Sequence, residues 1–284
     1  RERVLIAATR LPKGTRDLSV EPGLPDLKWA KANWSHNDWN LDKDLPLEKI
    51  SASDKKAAVA LSDEERFWID AWDDFVRIIR QDEKNGPIPG FPIWVDAWPP
   101  VGLIKNGSDL PGWKQDFIVK NQEFYLSHQK VLDKWLSKWD FLDDFPPSRR
   151  KFEWQAQNAE TLWECIMHLR PSGIRAKRHT YVPALVAITQ TSIVGKQKRR
   201  ITVREGARLQ GLPEWFEFVD QGNPQSYKQL GNGVNVGAVY NVIRAQVVRD
   251  LDLLEKKTEL TRSILGAPAN PDVALDSHKK YFAN

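Results

Sequence analysis

Residues 61–81, LSDEERFWIDAWDDFVRIIRQ, can do little but form an amphipathic helix. Ser62 and Glu65 stand at capping-box spacing, where each side chain satisfies a backbone N–H that the first turn leaves unpaired. Phe67, Ile69, Trp72, Phe75, Val76 and Ile79 recur at helical spacing and predict one buried face. Such a face needs apolar partners. NQEFYLSHQKVLDKWLSKW (121–139) and NAETLWECIMHLR (158–170) read as a second and a third helix, the latter enclosing Cys165. The three helices carry Trp68, Trp72, Trp135, Trp139 and Trp163, which predicts that this stretch folds around its own aromatic core.

The flanking segments read differently. RVLIAAT (3–9) is a continuous apolar run of strand length, suited to a buried strand of a parallel sheet. Residues 11–60 are polar and broken by turn signals, and 85–100 and 145–157 read as loops. TYVPALVAITQTSIVG (180–195) reads as strands, and TVREGARLQGLP (202–213) as a short helix stopped by glycine and proline. YKQLGNGVNV (227–236) predicts a tight Gly-Asn-Gly turn that opens a helix over 234–250, with Val236, Val239, Tyr240, Ile243 and Val247 on its buried side. The turn is either a plain helix start or a place where backbone N–H groups meet a ligand. After about residue 262 the tail reads as loosely ordered.

Composition excludes several classes. Cys165 is the one cysteine, so there is no internal disulfide framework and a reducing, cytoplasmic setting is expected. The five histidines lack metal-ligand spacing, so no metal is expected. No apolar run approaches the roughly 20 residues that span a bilayer. The net charge of +4 hides an asymmetry, because residues 146–210 hold 13 Lys/Arg against 4 Asp/Glu, a net of +9. That block is either a solvated basic face or a site for a polyanion.

Two stretches decide between these readings. RRITVREGARLQGLPEWF (199–216) followed by SYKQLGNGVNVGAV (226–239) closely resembles the last two conserved motifs of the DNA cytosine-C5 methyltransferase family. The first match rests on Thr202, Arg204, Glu205, Arg208, Leu209, Gln210 and Pro213, with Leu212 where the family usually has an aromatic residue. The second rests on Tyr227, Lys228, Gln229, Gly231, Asn232 and Val234, and Gly233 departs from the usual Ser/Ala. RERVLIAATR matches the end of the family's Gln-x-Arg-x-Arg motif, with Arg1 and Arg3 as its arginines. A competing dinucleotide loop, Gly231-x-Gly233-x-x-x-Gly237, lacks the apolar strand such a loop follows.

The resemblance implies an α/β fold. It would be an incomplete, Rossmann-like S-adenosylmethionine-dependent methyltransferase domain carrying a large mixed α+β target-recognition insert. Residues 1–11 would be a strand of the catalytic domain, 12–198 the target-recognition domain, 199–250 the return to the catalytic domain, and 251–284 a C-terminal tail. The family's Pro-Cys nucleophile, Glu-Asn-Val acid and Phe-x-Gly-x-Gly cofactor loop do not occur here. The resemblance therefore implies the C-terminal portion of a DNA methylation enzyme of restriction-modification type. It is expected to be inactive without its N-terminal catalytic half, from the same gene or a separate subunit. The alternative is a non-catalytic, sequence-specific DNA-binding module. Arg1 and Arg3 would serve the flipped cytosine. Asn232, Gly233 and Val234 would contact the amino-acid end of S-adenosylmethionine, and Arg204, Glu205, Arg208 and Gln210 would brace the motif. Arg149, Arg150, Lys151, Arg175, Lys177 and Arg178 would meet double-stranded DNA. Ala184-Leu185 aligns where family members often have Thr-Leu.

Overall fold

The computed structural model describes residues 5, 7, 41–44, 47–51, 53–82, 86–104, 110–180, 182–185, 191–251, 254, 258–277 and 279. Arg1, Arg3 and, apart from Leu5 and Ala7, the strand expected over 3–9 lie outside them. The chain divides into two compact units: Trp39–Pro183 with Thr189–Thr202, and Arg1–Asp38 with Ala184–Ile188 and Val203–Asn284.

The first unit contains helices α1 (Leu41–Asp44), α2 (Ser53–Val59), α3 (Asp63–Gln81), α4 (Gly112–Ser127) and α5 (Gln129–Lys138). Its strands are β1 (Ile93–Trp94), β2 (Lys151–Gln155), β3 (Ile166–Arg170), β4 (Gly173–Lys177), β5 (Ile193–Val194) and β6 (Arg199–Arg200). The capping box forms as the spacing requires: Glu65 N–H donates to Ser62 Oγ at 3.1 Å and Ser62 N–H to Glu65 Oε2 at 3.2 Å. The buried face of α3 is Trp68, Ile69, Ala71, Trp72, Phe75, Val76 and Ile79. Phe67, expected on that face, is 45% exposed and touches Trp139 and Phe145 at its rim. The segment expected as one helix over 121–139 is two, broken at His128.

Indole N–H groups tie this unit together, because a buried donor left unpaired is costly, although that of fully buried Trp98 has no partner among the described residues. Trp72 donates to Arg149 O and Trp135 to Ala71 O, both at 2.8 Å. Trp163 reaches Asp70 at 2.8 Å and Trp139 reaches Asp74 at 2.9 Å. Asp73 accepts from Leu162 N–H at 2.6 Å and from the Thr161 hydroxyl, which fixes the turn before β3 against α3.

The described sheet has six strands in the order β1-β2-β4-β3-β5-β6, antiparallel except for β2 beside β4. It corrects four readings. Residues 85–100 and 145–157 are not all loop, because Ile93–Trp94 is β1 and Lys151–Gln155 is β2. Residues 158–170 are not a helix but a 3₁₀ turn at Leu162–Glu164 followed by β3. β3 is a central strand paired on both sides, so Ile166, Met167, His168 and Leu169 are all buried and show no alternation. Of the strands expected over 180–195, only β5 forms among the described residues, and Pro183–Leu185 have no regular structure.

The second unit holds α6 (Val203–Leu209), α7 (Asn223–Asn232), α8 (Val236–Arg249), α9 (Glu259–Gly266) and α10 (Pro271–Ser277). The tail is more ordered than expected. Tyr240 hydroxyl donates to Pro268 O at 2.6 Å, and Arg244 donates at 2.8 Å to Ile264 O and Ala267 O, covering carbonyls that the end of α9 leaves unpaired. Among the described residues no helix is long and apolar enough to cross a membrane.

Candidate functional site

Residues directly paired across strands share a sheet face. One face of the first unit's sheet carries Phe152, Ile174 and Leu169 in one row and Trp154, Ala176, Met167 and Ile193 in the next. All are buried, and Phe152 stacks on Trp72 of α3 with centroids 4.7 Å apart. The opposite face is polar over β2 and β4, whereas over β3 and β5 it is covered, with His168, Ile166 and Val194 buried. Glu153, Arg175 and His168 form one row, and Gln155, Lys177, Ile166, Val194 and Arg199 the next. Lys151 and Arg170 lie on the same side by strand alternation.

Glu153 organises this face. Its Oε2 accepts from Arg175 Nε at 2.7 Å and lies 2.6 Å from Arg175 NH2, while its Oε1 accepts from Arg170. One carboxylate thus holds two guanidiniums, leaving the cluster net cationic. Arg175 remains 30% exposed, so its unbonded N–H groups stay available. Burial, then neighbouring Arg175, pulls the Lys177 ammonium below its usual range. Arg178 follows at the strand end and is half-buried.

His168 lies in the same row and is buried, its Nε2 2.5 Å from Ser192 Oγ. Burial foremost, then Arg170, Arg175, Arg200 and Lys177, lowers its pKa from 6.5 to about 4. The unfolded chain therefore takes up this proton near pH 6.5, whereas the folded chain does so only near pH 4. Between those values the unfolded state binds more protons, and stability falls as pH falls. The full difference is about 3 kcal/mol. Urea denaturation from pH 7.5 to 4.5 should show this loss, and His168→Gln should flatten it. Equal pH slopes for the two proteins would contradict the assignment.

Two of the sequence-predicted cations are turned into the fold, and a third, Lys151, packs on an aromatic ring. Arg149 is buried; it donates to Arg170 O at 2.9 Å and its guanidinium lies 5.1 Å above the Trp68 ring. Its pKa is lowered, first by burial. Arg150 Nε lies 2.9 Å from Asp96 Oδ1, with both side chains largely buried. Lys151 sits 5.7 Å above the Trp94 ring. The Arg149 and Arg150 guanidiniums, expected to meet DNA, are turned inward in this structure.

The second unit knits the two motif segments together. Gln210 side-chain N–H donates to Leu230 O at 2.5 Å, and Gln210 O accepts from Val236 N–H at 2.8 Å. Asn235 caps α8 by accepting from Ala238 N–H at 2.8 Å and donates to Leu209 O at 3.1 Å. Gly211, at φ +71°, ends α6 against this cap, and an added Cβ would stand 3.4 Å from Asn235 Nδ2. Arg204 donates to Pro213 O at 3.2 Å and to Phe216 O. Arg208 grips Glu214 with Nε and NH2 at 2.6 and 2.9 Å, holding that carboxyl below its usual range. Glu205 is fully buried.

The Gly-Asn-Gly turn is not built as expected. Gly231 and Asn232 complete α7, and Gly233 follows in extended backbone, φ −67° and ψ 166°. Its N–H is taken by Gln229 O at 2.9 Å. A Cβ on Gly233 would lie 3.4 Å from that oxygen, ordinary contact, so the Ser or Ala usual in the family would fit. The exposed groups here are the Asn232 side chain, which has no hydrogen-bond partner among the described residues, and Val234. These fit a small polar ligand better than a closed anion nest, because the Val236 and Ala238 N–H groups at the start of α8 are already paired.

Cys165 is buried with its thiol 3.5 Å from Thr161 O. Burial first, then Glu164 and Asp73, pushes its pKa up to about 12. It is a packed thiol at neutral pH, as its setting in the sequence predicts, and not a nucleophile. Sequence reasoning missed Glu153 and Arg170. The period-2 alternation of KFEWQ and the Pro-Ser-Gly turn between IMHL and IRAK were the available signals.

Residues 1–247 match the family model of the C-5 cytosine-specific DNA methylases. Type II methyltransferase M.AluI of Cellulosimicrobium cellulans is 38% identical over 334 aligned residues, covering 94% of this chain and 64% of that protein. M.FnuDI of Fusobacterium nucleatum is 28% identical over 184 residues, covering 54% of this chain and 53% of that protein. M.NgoPII of Neisseria gonorrhoeae is 47% identical over 82 residues, 27% of this chain and 24% of that protein. The chain spans less than two thirds of the length of these relatives. No solved structure matches it.

Proposed function

The chain belongs to the C-5 cytosine-specific DNA methylase family, and on that premise we propose that it is the DNA-recognising portion of a cytosine-5 methyltransferase of restriction-modification type. In this reading Trp39–Pro183 with Thr189–Thr202 is the body of the target-recognition insert expected over 12–198, and Val203–Asn284 belongs to an incomplete Rossmann-like catalytic domain. S-adenosylmethionine, when bound, supplies the methyl group for C5 of a cytosine flipped from the duplex. Asn232, with the Gly233 carbonyl and the Val234 backbone, would hold that cofactor's amino-acid end. Arg3, supported by Arg1, would donate to the flipped base where charge develops. The thiolate that attacks C6 comes from outside these 284 residues, because the one cysteine present is buried and protonated.

The observation that carries the DNA-recognition reading is the polar sheet face with Arg175 pre-oriented on Glu153. A guanidinium held on one side by a carboxylate presents its remaining N–H groups in a fixed direction, as bidentate reading of guanine O6 and N7 requires. Lys151, Lys177 and Arg178 would hold phosphates. Arg175→Ala is expected to change which duplex is selected from a randomised pool, costing about 1–3 kcal/mol for the preferred sequence and little for others. A uniform loss over all sequences would make this face a phosphate clamp and place specificity elsewhere. Burial of Cys165 also suits the second reading, a DNA-binding module without chemistry, for this polypeptide taken alone.

A further inference from the structure

A cleft of about 730 Å³ opens at the β6 edge of the sheet. It is walled by residues 47–50, by α2 and Ala60, by Arg66 and by the turn at 197–199. Ala60 bridges Arg199, and Arg199 NH2 donates to Glu48 O at 3.4 Å, so segments far apart in sequence are fastened around it. Lys49, Lys56, Arg66 and Lys198 line it, all exposed. None of these four makes an ion pair among the described residues. Arg66 Nε donates to Leu61 O at 3.4 Å, and the Lys198 ammonium lies 5.2 Å over the Trp163 ring. Among the described residues Glu48 supplies the one carboxylate of the wall, and it accepts from the Thr202 hydroxyl. Lys198 is held in left-handed backbone, φ 49° and ψ 40°, a conformation uncommon for a residue with a side chain.

Like charges gathered in a concavity repel one another and concentrate a positive field, which favours a polyanion. The cleft's position selects which one. Arg199 stands in the row Lys177, Ile166, Val194, Arg199, three strand spacings from Lys177. That is roughly 14 Å at the usual strand separation. The DNA major groove is about 12 Å wide. Ile166 and Val194, which lie between Lys177 and Arg199, are buried, so a duplex read by Arg175 would span these covered strands and set a flanking backbone at this edge.

We propose that the cleft lined by Lys49, Lys56, Arg66 and Lys198 is a sequence-independent clamp for the DNA phosphate backbone. This rests on the reading of the polar sheet face as the DNA-recognition surface. The clamp sets affinity and register, and Arg175 reads sequence.

The test is duplex binding by the full chain, followed by fluorescence anisotropy from 50 to 300 mM salt, for wild type and for Lys49→Gln/Lys56→Gln/Arg66→Gln. All three side chains are exposed, and an unchanged thermal unfolding curve checks folding; Lys49→Gln/Lys56→Gln spares the Arg66 contact with Leu61. Three lost phosphate contacts should lower the slope of log K against log salt by roughly 2.7, and affinity at 0.1 M salt by roughly 10²-fold, whatever the sequence. The double variant should lose about two thirds of that slope. Wild-type binding with an unchanged slope in both variants overturns the clamp and leaves the DNA-recognition reading standing. A wild-type chain that binds no duplex overturns both. Loss of binding to phosphatidylserine vesicles alone, with duplex binding intact, assigns the cleft to a membrane and also overturns the proposal.

Discussion

Trp72→Ala is expected to destabilise the helix–sheet unit by about 3–5 kcal/mol, read as a shift of the urea midpoint followed by far-UV circular dichroism. Trp72 is fully buried, and its ring meets Phe75, Trp135 and Phe152. Removing it opens a cavity in close-packed surroundings that cannot collapse fully. The substitution also strips Arg149 O of its donor, at the point where the chain enters β2. A domain's whole stability is typically about 5–15 kcal/mol, so this one side chain decides whether the unit folds. Trp72→Phe separates the two effects. It keeps most of the ring packing but leaves a buried carbonyl unpaired, and should cost about 1–3 kcal/mol. A loss below about 1 kcal/mol for Trp72→Ala would show that α3 is not the element on which the sheet is built.

The helices of this fold were legible where periodicity and capping agreed. The α3 segment announces itself by Ser62, Glu65 and its apolar spacing, and the structure follows residue by residue except at Phe67. α6 and α8 form where expected, at Val203–Leu209 and Val236–Arg249, but of the side expected to be buried on α8 only Val247 is buried, and Ile243 is 45% exposed. The sheet was not legible in the same way. Its central strand β3 is buried on both faces, which erases the alternation that marks a strand, and its edge strands are two residues long. Pairing across more than 70 residues, such as Ala60 with Arg199, leaves no local trace.

The candidate site divides along the same line. The motif residues Arg204, Arg208 and Gln210 could be named because they lie close in sequence, and each finds its partner within its own unit. The basic block could be counted but not resolved. Charge alone does not tell Arg149, turned onto Trp68, from Arg175, held on Glu153 and partly exposed. The cations of the β6-edge cleft were invisible as a group because Lys49, Lys56 and Arg66 sit outside that block. The glycines at 231 and 233 pointed to a sharp turn, whereas the chain uses them in a helix end and an extended link.

Methyl transfer is where the account is most exposed. The isolated chain is expected to move no methyl from labelled S-adenosylmethionine into duplex cytosine, because its one thiol is buried with a pKa near 12. Supplying a second polypeptide that carries the family's Pro-Cys and Phe-x-Gly-x-Gly motifs should restore transfer. In that assembly Cys165→Ala should leave the rate unchanged within a few-fold, since the residue only packs. Arg3→Ala should lower turnover by roughly 10²-fold or more, the scale of losing one donor to developing charge. The decisive measurement is incorporation of labelled methyl at C5 by the chain alone, by the pair, and by the pair with Cys165→Ala. Transfer by the pair only, insensitive to Cys165, is the predicted result; transfer by the chain alone, or loss of all transfer with Cys165→Ala in a folded protein, would contradict it.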